Sequence, residues 1–70
     1  MTATYSAVIQ QHEDWWIGWI EEVPGVNSQE RSREELIESL REALEEALEM
    51  NRADARAAAA GTFEEVAIVP

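Results

Sequence analysis

The chain has seventy residues, with fifteen Asp or Glu against five Arg, no Lys and no Cys, and a net charge of −10. Such a surface repels phosphates, which argues against nucleic acid as a direct ligand and favours a basic partner. With no cysteine and one histidine, His12, neither disulfides nor Cys/His metal sites are available to reinforce so small a core. Self-association is left, so a dimer or tetramer is expected.

At 46% hydrophobic residues the chain is too apolar to be an acidic disordered tail. It holds no apolar run long enough for a membrane span, and its opening MTATYSAV lacks the basic start and apolar stretch of a signal peptide. A cytoplasmic protein with no membrane contact is the expectation.

In chain order, residues 4–11 (TYSAVIQQ) partly alternate and predict a first strand, with Tyr5, Ala7 and Ile9 on one face. His12, Glu13 and Asp14 read as a tight turn. Residues 15–23 (WWIGWIEEV), aromatic and β-branched, predict a second strand and an antiparallel hairpin. Trp15, Ile17 and Trp19 fall on one face, and Trp16, Gly18 and Ile20 on the other. Both faces are apolar, so one is expected to take a helix and the other a second cover. Core packing is the favoured reading for Trp15 and Trp19. Trp16, with Glu21, Glu22 and Val26, is the expected partner or subunit interface; reversing the parity would exchange these roles. Gly18 reads as a point of close backbone or helix approach.

Pro24–Gly25 stops the second strand, because Pro has no amide to donate and Gly tolerates positive φ. Residues 26–30 predict a short polar edge strand. Ser32 with Glu35 three residues on forms a capping-box signature, and a helix over residues 33–51 follows. Leu36, Ile37, Leu40, Ala43, Leu44, Ala47, Leu48 and Met50 occupy an arc of about 160°, with glutamates opposite. Asn51 and Asp54 return to the apolar arc, which predicts that the main helix ends near residue 51. A short second helix over residues 55–60 is possible, with Gly61 past its end, and residues 62–69 (TFEEVAIV) predict a last strand. The order is β-β-(β)-α-β in one α+β domain, an antiparallel sheet with one main helix on one face.

The acidic pairs Glu21–Glu22, Glu45–Glu46 and Glu64–Glu65 are poor candidates for acid–base chemistry, because strand neighbours point to opposite faces and the helical glutamates face solvent. A divalent-metal cluster of Asp14, Glu21 and Glu22 has no recognised ligand spacing behind it. His12 has no Cys or Ser partner suited to catalysis, and no glycine-rich phosphate loop occurs. No catalytic residue, cofactor, metal or small-molecule substrate is expected.

The stretch WWIGWIEEVPGVNSQERSREELIESLREALEEALEMNR, following a Tyr-containing strand, resembles the small HicB-like antitoxins. The shared pattern is an aromatic strand, Glu-x-Pro-Gly, a polar turn, Ser-x-Glu-Glu and a Leu-rich helix. Here it is carried by Trp16, Gly18, Glu22, Pro24, Gly25, Ser32, Glu35 and Leu36. The resemblance implies a partial RNase H-like fold without catalytic carboxylates. It further implies a toxin-binding role, blocking a small basic HicA-like mRNA interferase. Longer members continue into a DNA-binding module, whereas this sequence ends at Pro70, so direct operator binding is not expected. An orphan structural or adaptor homo-oligomer without a toxin is the competing expectation.

Overall fold

The computed structural model describes residues 4–70. Three strands, β1 (Ala7–His12), β2 (Trp15–Ile20) and β3 (Asn27–Glu30), form an antiparallel meander in the order β1-β2-β3, followed by one helix, α1 (Arg33–Ala58). The fold is α+β, with the helix packed across one face of the sheet over β2 and β3. Among the described residues, no helix is long and apolar enough to cross a membrane.

The β1–β2 hairpin turns on Glu13 and Asp14, with His12 opposite Trp15. Glu13 has φ 60, in the left-handed region that favours glycine. After β2 the chain turns through Val23–Val26. The Val26 N–H donates to the Val23 carbonyl at 3.3 Å, and Gly25 has φ 91. Pro at the second position and Gly at the third are what a type II turn requires. The second strand therefore ends at Ile20 instead of continuing to residue 23, because Glu21–Val23 lead into this turn. It is closed by the Ile20 N–H donating to the Val26 carbonyl at 3.0 Å.

The sheet register decides which face each tryptophan takes. Gly18 lies beneath Leu40, where a Cβ would meet the Val8 carbonyl oxygen at 2.9 Å and the Leu40 Cδ1 at 3.2 Å. Only glycine lets the helix come this close. With Gly18 facing the helix, alternation along β2 turns Trp16 and Ile20 inward and Trp15, Ile17 and Trp19 outward. The favoured face assignment is thus reversed. Trp16 is half-buried against the core, while Trp19 is 42% exposed on the far face.

The core consists of Ile20, Val26, Leu36 and Leu40, with the two leucines 0% and 2% exposed. Burying each of these side chains contributes on the order of 1.5–3 kcal/mol. Ser32 caps the helix by accepting from the Glu35 N–H at 3.1 Å, and Glu34 and Glu35 lie favourably in the positive first turn. The Ser28 and Ser39 hydroxyls, 2.5 Å apart, tie β3 to α1.

Two expectations fail at the C-terminal side. The helix does not end near residue 51 and no separate helix forms over residues 55–60; α1 runs unbroken to Ala58. Asn51 and Asp54 do return to the apolar arc, but all residues from Glu49 to Ala58 are exposed, so nothing there penalises a polar side chain. Ala and Arg are strong helix formers and carry the helix on. Residues 62–69 form no strand, because a strand needs a partner and this segment lies beside the end of the helix, away from the sheet.

Candidate functional site

Two surfaces of opposite character lie on opposite sides of the molecule. The first is the solvent face of α1. Glu34, Glu38, Glu42, Glu45 and Glu49 fall within an arc of about 80° and are all exposed. Their spacing of three or four residues puts like charges next to one another, and each such pair costs about 0.2–0.5 kcal/mol. Only Arg41 interrupts the band, pairing with Glu38. Toward β3 the band continues into a shallow recess lined by Glu30, Glu35, Glu38, Ser39 and Glu42. A cationic partner laid along this face would replace repulsion with attraction.

The second surface is the outer face of the sheet. Val8, Ile17, Trp15 and Trp19 form its apolar part, with Gln10, His12, Asn27 and Gln29 around them. No strand residue on this face carries a carboxylate. The Arg31 guanidinium carbon sits 3.9 Å from the Trp15 ring centroid, a cation–π stack on the exposed indole.

The residues expected at the interface are not brought together on one surface. Val26 is a core residue, 5% exposed, because the Pro24–Gly25 turn folds it back beneath the helix. Trp16 is half-buried beneath α1 for the reason set by Gly18. Glu21 is exposed, and the Glu22 carboxylate accepts from the Ser6 N–H at 2.8 Å, bracing the start of the hairpin. Trp15 and Trp19, read from the sequence as core, take the exposed position instead. The signal that could have placed them was Gly18, whose parity Trp16 shares.

Asp14 stands at the turn end of β2 and Glu21–Glu22 at its other end, about 20 Å away along six residues of strand. These carboxylates cannot share one metal ion. Among the described residues, no group of three or more His, Cys, Asp or Glu is placed to hold one.

No family model, curated protein or solved structure matches the chain.

Proposed function

We propose that this chain is a non-catalytic binding module, the toxin-binding component of a HicB-like toxin–antitoxin pair, acting in the cytoplasm. It neutralises a small basic HicA-like mRNA interferase by occlusion. An enzyme that cleaves mRNA presents a positive surface to its substrate, and the glutamate band of α1 offers a rigid competitor for that surface. The observation that carries this reading is the band itself: five like charges on one helix face repel one another, Arg41 pairs with Glu38, and a cationic ligand would relieve the remaining repulsion. Complementary charge also speeds association and selects the partner. The three-stranded meander with one helix agrees with the part of an RNase H-like layer pair that the sequence resemblance implies, and the aromatic strand, Pro24–Gly25 turn and Ser32 cap are the elements that carry that resemblance.

The test is mRNA cleavage by a basic ribonuclease encoded in the same operon, with and without the purified chain. Stoichiometric chain should suppress cleavage. Undiminished cleavage in large excess of the chain overturns the role for that partner. The outer sheet face favours a second reading, a structural or adaptor homo-oligomer without a toxin, because exposed Trp15 and Trp19 are residues that concentrate at interfaces. Stable self-assembly in a genome with no basic ribonuclease beside this gene would favour that reading.

A further inference from the structure

Among the described residues, none pairs with the outer edge of β1. The Glu21 N–H donates to the Ser6 carbonyl at 2.9 Å, which sets the alternation of the β1–β2 ladder. Val8, Gln10 and His12 therefore exchange bonds with β2, while the N–H and C=O groups of Ala7, Ile9 and Gln11 point away from it. No proline or charged side chain stands on residues 7–11 to protect this edge, in contrast to the four polar residues of β3.

Above the same edge the helix is only partly covered. Ser39 marks the β3 side of α1 through its contact with Ser28. Leu44, Ile37 and Leu48 lie about 140–180° round the helix from Ser39, on the β1 side, and all three are half-buried. An apolar roof over an unpaired ladder has the shape of one missing strand.

A segment of matching character lies elsewhere in the chain. Val66, Ala67, Ile68 and Val69 are apolar on both parities, and Ile68 is 81% exposed. They suit a strand covered on both faces. We propose that Val66–Val69 of one copy adds to the β1 edge of a second copy, and reciprocally, giving a strand-exchanged dimer closed by two-fold symmetry.

Three observations favour a second copy over the same chain. The exposed end of α1, from Glu49 to Ala58, overhangs the sheet by about 15 Å. Glu65 is tied to Arg56 on that overhang at 2.8 Å, and Phe63, Ala55 and Ala59 line one recess where the chain turns back at Gly61 (φ 87). The hydrogen bond from Arg56 to Glu65, reinforced by their charges, holds the guanidinium pKa above its ordinary value. From Glu65, four strand residues span at most about 13 Å, less than the overhang of about 15 Å, so Val66–Val69 cannot lie along β1 of their own sheet while Glu65 stays tied to Arg56.

The surface area points the same way. The single chain exposes 5803 Å², against roughly 4,400 Å² for a compact monomer of 7.9 kDa. The excess is larger than the roughly 800 Å² per partner that a standard stable interface buries.

Sedimentation velocity at micromolar concentration tests the exchange on three proteins: the full chain, a chain ending at Gly61, and full-length Val66→Asp/Ile68→Asp. The expected result is a dimer, a monomer and a monomer. The shortened chain should keep its helical circular dichroism, because the core lies between Tyr5 and Ala47. Amide exchange at Ala7, Ile9 and Gln11 should be slow in the full chain and fast in both variants. A monomeric full chain, with or without protected β1 amides, overturns the proposal. So does a shortened chain that remains dimeric; if that chain fails to fold, a dimeric Val66→Asp/Ile68→Asp protein does so instead. These outcomes are independent of toxin capture, which is read by cleavage.

Discussion

Leu40 packs directly on Gly18, so closely that a Cβ on the glycine would lie 3.2 Å from the leucine Cδ1. The same Cβ would meet the Val8 backbone oxygen at 2.9 Å, which cannot rotate aside. Gly18→Ala should therefore destabilise the chain by about 1–3 kcal/mol, as overpacking against a fixed neighbour does. Urea denaturation followed by helical circular dichroism measures this, and an unchanged midpoint would contradict the packing described.

Among the described residues, Ser32 provides the one side-chain oxygen that satisfies a first-turn amide of α1. Ser32→Ala should cost about 1 kcal/mol in the same measurement. Ser32→Asp should restore most of it, because Asp caps as well and adds negative charge at the positive helix end.

Glu13 adopts positive φ in a two-residue hairpin turn, a conformation that costs an L-residue about 1 kcal/mol. Glu13→Gly should stabilise the protein by about 0.5–1 kcal/mol, less the extra entropy of glycine in the unfolded chain. A destabilised variant would mean that Glu13 makes a compensating contact.

The sequence made the sheet meander, the Pro24–Gly25 turn, the Ser32 cap and the Leu36–Leu40 stripe legible, because each rests on local stereochemistry or on helical periodicity. The two faces of β2 are both apolar, so periodicity alone could not tell Trp16 from its neighbours. Only the requirement for Gly18 beneath the helix does so. Similarly, Val26 looks like a surface residue beside a polar run until the turn brings it under α1. The helix end is not legible in the stripe: Asn51 and Asp54 break it, but a broken stripe ends a helix only where a sheet lies against it, and α1 runs on to Ala58. The strand character of residues 62–69 is readable in the sequence, but a strand also needs an edge within reach.

The glutamate band makes a prediction about stability by itself. Raising ionic strength should increase the thermal midpoint, since screening within about 8 Å at physiological salt weakens the repulsion between neighbouring carboxylates. Glu42→Lys should do the same at low salt by about 0.5–1 kcal/mol, as it turns repulsive neighbours into attractive pairs. A midpoint that falls with added salt would contradict the band's cost to folding.

Affinity for the proposed partner, a basic ribonuclease encoded in the same operon, compared between the wild-type chain and Glu42→Lys/Glu45→Lys, tests the central claim most directly. The variant should be at least as stable as wild type, yet bind about tenfold or more weakly, a loss of about 1.4 kcal/mol or greater. Equal affinity of the two proteins at low salt would show that the acidic face of α1 does not make the contact.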